Sequence, residues 1–152
     1  MKSGVLKYEF YINAKPEVVW DTIIKPEGTR HIMFGSVIHS TFEVGAPYQW
    51  IGPGVDGDET NHVYGTILEY EPNKLFSCLE HPGPSYLPNH AELESRITMT
   101  FEEVGTSTKL TLVNDQFTEN HPSYESTEKA WWMILSNVKS YAETGKTMDF
   151  GW

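Results

Sequence analysis

The feature that most constrains the fold is a long helical pattern near the C-terminal end, between residues 123 and 145. Its apolar positions recur at three- and four-residue spacing, which is the period of one face of an α-helix. These positions are Trp131, Ile134, Leu135, Val138, Tyr141 and Ala142. The other side is mostly polar and includes Asn137 and Lys139. Gly145 suits the left-handed conformation that ends many helices. Because most of the preceding chain has strand patterns, we predict that this helix lies on a β-sheet.

The segments before this helix predict two short helices and an antiparallel sheet. Alternation of apolar and polar residues, bounded by turn residues, indicates strands. The predicted strands are residues 7–13, 37–42, 47–51, 62–70, 75–79, 93–102 and 108–115. Pro16 and Glu17 suit the first turn of one short helix, and a second is predicted at about 27–33. In the last two strands one face is apolar and the other carries threonine and lysine, which is typical of a sheet covered on one side.

The composition fits one folded domain over residues 1–152 and excludes several classes of partner. The chain has 152 residues, 39% hydrophobic and 13% aromatic, with a net charge of -10. It has no cluster of lysine and arginine, so we expect neither nucleic acid nor an anionic membrane as partner. Cys78 is the single cysteine, and we predict a buried structural thiol. The N-terminal residues lack an apolar signal region and no apolar run could span a bilayer, so we expect a cytoplasmic protein. We also expect a monomer.

Five segments in order resemble one known superfamily. They are AKPEVVW (14–20), TRHIMFG (29–35), GTILEYEP (65–72), TKLTL (108–112) and residues 130–145. The chain is similar to the START/Bet v 1-like (SRPBCC) superfamily, and within it to the C-terminal domain of the activator of Hsp90 ATPase. The resemblance implies an α+β helix-grip fold, in which a curved antiparallel sheet of about six strands holds the long C-terminal helix on its concave face. It also implies a cavity between sheet and helix, which binds apolar small molecules in some members, and no shared catalytic residues.

A glycine-containing loop superficially matches a phosphate-binding motif. Residues 52–57 read GPGVDG, which fits the pattern G-x-G-x-x-G. That motif needs a helix at its last glycine, whereas acidic residues and a predicted strand follow here. We therefore interpret the segment as a loop between strands, with a weak cation site at its acidic residues as the alternative.

The sequence shows no motif for a metal, a cofactor or a catalytic set. Six histidines are present, but none has zinc-ligand spacing. His81, His90 and His121 lie in predicted loops and could meet at a cavity mouth, although exposed or singly hydrogen-bonded histidines are the favoured interpretation. No Ser/His/Asp arrangement is recognisable. Glu69 and Arg96 lie in mid-strand among apolar residues, where the open face of the sheet is favoured over a buried position.

The predicted ligand cavity has a mostly apolar wall. Its residues are Trp50, Met99, Leu112, Asn114, Trp131, Trp132 and Leu135. Asn114 is the polar group expected to orient a ligand. The alternative is that the large side chains fill this space as a solid core. We predict a domain that binds an apolar, aromatic small molecule. An enzyme of cyclase or hydrolase type and a chaperone-related protein-interaction module are the alternatives.

Overall fold

The computed structural model describes residues 4–54 and 56–151. Residues 1–3, on which the absence of a signal region partly rests, and Val55 of the glycine-containing loop lie outside them. Within these ranges, seven strands form one antiparallel sheet in the order β1-β7-β6-β5-β4-β3-β2. The strands are β1 (Leu6–Ile12), β2 (Val37–Ser40), β3 (Pro47–Pro53), β4 (Glu59–Glu71), β5 (Leu75–Pro82), β6 (Ser95–Val104) and β7 (Ser107–Asp115). The predicted antiparallel sheet is confirmed. Its seven strands correspond to the seven predicted segments, one more than the resemblance implies.

Two irregularities bend the strands that surround the centre of the sheet. The pairing of β3 with β4 shifts between Trp50 and Ile51, and the pairing of β4 with β5 shifts between Ile67 and Glu69. Such bulges increase the local twist and bend the strand. The sheet therefore curves around the helices that cover one of its faces.

Three helices cover the concave face. They are α1 (Pro16–Ile24), α2 (Pro26–Ile32) and α3 (Tyr124–Thr144), and a 3-10 turn follows β5 at His90–Glu92. Lys25 is extended between α1 and α2, because a residue before a proline disfavours the helical conformation. Gly28 lies so close to the Thr22 backbone that a Cβ atom there would overlap it. The missing side chain thus allows α1 and α2 to pack tightly together.

The apolar face of α3 is the predicted one. Leu135 and Val138 are fully buried in the core, and Gly145 ends the helix with a φ of 77°. Asn137 differs from the prediction, because it is buried instead of facing solvent. The chain after Gly145 turns back along the helix, and the Met148 N–H donates to Asn137 Oδ1 at 2.7 Å. A polar residue on the outer side of a helix can thus be covered by a later segment of the chain.

Several strands are longer than the sequence pattern indicates. β3 and β4 extend into the glycine-containing loop, which leaves a short hairpin turn closed by the Gly54 N–H and the Asp58 carbonyl at 2.7 Å. This agrees with a strand-to-strand connection. β5 continues to Pro82, beyond the predicted end at Leu79, and this extension places Glu80 and His81 in the sheet. Within the described ranges, no helix is long and apolar enough to cross a membrane.

Candidate functional site

A small cavity of about 50 Å³ lies between α3 and the concave face of the sheet. Its lining includes four of the seven predicted cavity residues, which are Trp50, Met99, Trp131 and Leu135. The other lining residues are mostly apolar side chains of the short helices and the central strands. An apolar cavity of about 150 Å³ can hold benzene, whereas about 10–15 Å³ is enough for water. The space therefore admits a small end group but no aromatic ring, because large side chains fill most of the gap between helix and sheet.

Three of the seven predicted residues lie outside the cavity lining, namely Leu112, Asn114 and Trp132. Leu112 is fully buried in the core on β7, outside the cavity lining. Trp132 is 53% exposed and packs edge-on against the Tyr8 ring of β1, with ring centroids 4.7 Å apart. The Trp132 ring also lies 6.0 Å from the Phe10 ring, so it covers the edge of the sheet at β1 instead of the cavity. The expectation that Trp132 lines the cavity was wrong for this reason.

Asn114 is buried as expected, but its side chain already has protein partners. Its Nδ2 donates to Ser95 Oγ at 3.1 Å and to the Arg96 carbonyl at 2.9 Å. Its Oδ1 accepts a hydrogen bond from Trp131 Nε1 at 3.1 Å. Instead of orienting a ligand directly, Asn114 fixes the position of the Trp131 ring in the cavity wall.

A larger open groove lies beside the cavity at one end of the sheet. Its volume is about 600 Å³, and it shares Val63 and Glu80 with the lining of the cavity. The other lining residues come from β4 to β6, from the connections before β2, after β5 and before α3, and from the start of α3. They are Phe34, His62, Pro82, Tyr86, Leu87, Ser95, Phe117, His121, Pro122, Ser123, Ser126 and Thr127. The shared lining shows that the two spaces are adjacent.

Glu80 is the functional candidate that the sequence analysis missed. It follows Phe76 and Cys78 on the inward side of β5, and it is partly accessible because it faces the groove. Burial raises the pKa of its carboxyl group to about 7, because the charged form loses hydration. Among residues 4–54 and 56–151, no hydrogen bond or ion pair to this carboxyl group is present. The predicted strand ended at Leu79, although continued alternation from Phe76 would have placed Glu80 inward.

Tyr48 on β3 connects to the strand that carries Glu80. The Tyr48 hydroxyl donates to the Leu79 carbonyl on β5 at 2.8 Å. The ring passes over β4 at Gly65, where a Cβ atom would crowd both the Tyr48 ring and the Leu79 carbonyl. Burial raises the pKa of the Cys78 thiol to about 12, so this thiol is protonated at neutral pH. The predicted buried thiol is therefore confirmed.

The three histidines expected in loops do not meet at the cavity mouth. His81 lies in β5 and stacks on the Tyr64 ring, with ring centroids 5.0 Å apart. His90 Nδ1 is 2.6 Å from the Tyr64 hydroxyl, whereas His121 lies in the groove against the Phe117 ring. The part of the chain that the structure describes contains no group of three or more His, Cys, Asp or Glu residues that could hold a metal.

The two mid-strand charges lie on the outer face of the sheet. Arg96 makes a two-point ion pair with Asp115, with Nε–Oδ1 and Nη2–Oδ2 distances of 2.9 and 2.8 Å. Glu69 is exposed. The favoured interpretation of both residues was therefore correct, and neither contributes to the cavity.

Comparisons with known proteins agree with this geometry. A sequence model of the family described as "Activator of Hsp90 ATPase homolog 1-like protein" matches residues 13–143. A protein from Mesorhizobium loti is 19% identical, with a TM-score of 0.71 over 90% of this chain and 95% of that chain. The solution structure titled as an Aha1 dimer from Colwellia psychrerythraea is 17% identical, with a TM-score of 0.71 over 95% of this chain and 99% of that chain. No curated protein sequence matches the chain. The family match supports the resemblance, and the structural matches support the helix-grip fold.

Proposed function

Since the chain belongs to the family of Activator of Hsp90 ATPase homolog 1-like proteins, we propose that it is a small-molecule-binding domain. The ligand lies in the groove and reaches with a small end group into the cavity between α3 and the sheet. The observation that carries this proposal is that the two spaces are adjacent and share Val63 and Glu80 in their linings.

The volumes of the two spaces determine which parts of a ligand each can hold. Typical ligand pockets have volumes of about 300–1,000 Å³ and a mainly apolar lining with a few polar groups. The groove, at about 600 Å³, falls in this range, and Tyr86, Leu87 and Phe117 give it apolar walls. An aromatic ring fits the groove, whereas the cavity of about 50 Å³ takes only the end of the molecule.

The test is a titration with planar aromatic and lipid-like compounds, followed by tryptophan fluorescence and amide chemical shifts. Trp131 and Trp50 line the cavity, so saturable binding should change the fluorescence and shift amide signals near both spaces. If no compound binds with a dissociation constant below about 1 mM, or about -4 kcal/mol, the proposal is wrong.

A pair of variants on the same helix locates the site. Ser126 lines the groove, and Ser126→Trp should fill part of it. Lys129 is exposed on α3 and outside both linings, so Lys129→Trp is the matched control. We expect Ser126→Trp to weaken binding at least about tenfold, or about 1.4 kcal/mol, and Lys129→Trp to bind as the unmodified protein does. Equal binding by both variants would place the ligand outside the groove.

An enzyme that uses the same groove is the second candidate. One observation favours it, because Glu80 and His121 line the groove and burial shifts both pKa values, raising that of Glu80 and lowering that of His121. Carboxyl and imidazole groups with pKa values moved by their environment are common in acid–base catalysis. Mass spectrometry of each bound compound after incubation tests this. Conversion that is lost in Glu80→Gln would support an enzyme, and unchanged compounds would support a binding protein.

A further inference from the structure

Among the described residues, the linings of the two adjacent spaces contain one acidic side chain, Glu80, and neither lysine nor arginine. An ionised carboxylate in an apolar setting is stable only when a partner compensates the lost hydration. Since no side chain supplies that partner, the compensation can come from a ligand.

The other titratable groups around Glu80 do not provide a permanent positive charge. Tyr48 and Cys78 pack against it from β3 and β5, and burial raises both of their pKa values, so both are neutral. Both ring nitrogens of His62 have hydrogen-bond partners, one of them the Tyr86 hydroxyl. Burial lowers the pKa of His121, which favours the neutral ring.

Aromatic side chains complete a setting that suits an organic cation. Trp50 and Trp131 line the same cavity as Glu80, and indole rings attract cations at their faces. The hydrogen bond from Trp131 Nε1 to Asn114 Oδ1 keeps one of these rings in place. A carboxylate in a cavity that two indole rings also line is a chemical environment that recognises a protonated amine.

We propose that the ligand of this site is an apolar amine, with its protonated nitrogen at Glu80 and its aromatic or aliphatic body in the groove. This proposal rests on the small-molecule-binding function proposed above. The net charge of -10 favours the approach of a cation and opposes that of an anion. Glu125 in the first turn of α3 already complements the positive end of the helix dipole near the groove, so an anionic ligand is not needed there.

The test uses three probes of similar shape, which are 2-phenylethylamine, 2-phenylethanol and phenylacetate. At about pH 8, where Glu80 is mostly ionised, we expect the amine to bind at least about tenfold more tightly than the alcohol, a difference of about 1.4 kcal/mol. Phenylacetate should bind most weakly. Glu80→Gln should remove the difference between the affinities for the amine and the alcohol. Glu69→Gln, on the exposed outer face, is the matched control and should change neither.

A pH series on the unmodified protein tests the same idea without a substitution. An alkylamine stays protonated well above neutral pH, as a lysine side chain with a pKa of about 10.4 does. Its affinity should fall as the pH decreases through about 7, where Glu80 takes up a proton, while the affinity of the alcohol should stay constant. Tighter binding at low pH would instead indicate a neutral ligand that accepts a hydrogen bond from protonated Glu80, and would overturn the proposal.

The outcomes separate the two proposals. If the alcohol binds in the groove and the amine binds no better, or if Glu80→Gln leaves their ratio unchanged, the amine proposal is wrong and the binding function stands. If none of the probes and none of the compounds in the wider panel binds, both proposals fail together.

Discussion

Replacing Glu80 by glutamine should make the protein more stable at high pH. Burial raises the pKa of the Glu80 carboxyl group from its ordinary value of 4.5 to about 7. Between these values the folded protein holds a proton that the unfolded chain releases. Folding stability therefore falls as the pH rises through this window, because the folded state must either keep the proton or bury a charge. Glutamine has nearly the same shape and no charge, so it removes this dependence.

The pKa shift sets the size of the effect. Each pKa unit corresponds to about 1.36 kcal/mol, so a rise from 4.5 to about 7 amounts to about 3 kcal/mol. The side chain is partly accessible through the groove, and water reduces the penalty for ionisation. The quantity to compare is the free energy of unfolding of Glu80→Gln minus that of the unmodified protein. We therefore expect this difference to be about 2 kcal/mol larger at about pH 8 than at about pH 4.5.

Urea unfolding of both proteins across this pH range measures the difference. Subtraction at each pH cancels the titration of the other groups that the two proteins share. Glu69→Gln is the control, since Glu69 is exposed on the outer face and its substitution should stay within about 0.5 kcal/mol. A difference between Glu80→Gln and the unmodified protein that does not vary with pH would show that the carboxyl group is well hydrated, and the reasoning would be refuted.

Three further predictions concern the core and metals. Leu135→Ala should lower the free energy of unfolding by about 2–5 kcal/mol, because a fully buried side chain is lost, whereas Lys139→Ala on the outer side should change it by less than about 1 kcal/mol; urea unfolding distinguishes the two. Asn114→Ala leaves the Trp131 N–H without its acceptor, so the same measurement should show a loss of at least about 1–3 kcal/mol, and a loss below that range would contradict the bridging role. Dialysis against a chelator should leave the melting temperature unchanged in calorimetry, and a drop of several degrees would point to a metal site.

The sequence predicted those parts of the fold that depend on local periodicity. The apolar face of α3 and the alternation in β6 and β7 come from spacing, and spacing alone determines which side chains share a face. Asn137 illustrates what spacing misses, because its burial depends on Met148, which reaches it only after the chain turns back. Strand ends were also inaccurate, since the length of β5 depends on pairing with β4 and β6.

The same limits explain why the site was predicted only in part. Trp50, Met99, Trp131 and Leu135 have inward positions that follow from periodicity. Trp132 was expected in the cavity wall because it lies beside the inward face of α3, whereas its ring packs on Tyr8 and Phe10 of β1. The ion pair of Arg96 with Asp115 joins neighbouring strands, so the orientation of Arg96 became clear only once the register was known.

The small size of the inner cavity follows from the polar bridge behind it. For the Trp131 ring to swing away and enlarge the cavity, its N–H would have to leave Asn114 Oδ1. The fully buried Asn114 Oδ1 would then lose this partner, at a cost of about 1–3 kcal/mol. That cost is larger than the gain from one additional buried CH₂ group, which contributes about 0.8 kcal/mol. The bridge therefore keeps the ring in place. If the proposed function is correct, we expect the cavity to select ligands by the size of the end group, while the groove accepts variation in the rest of the molecule.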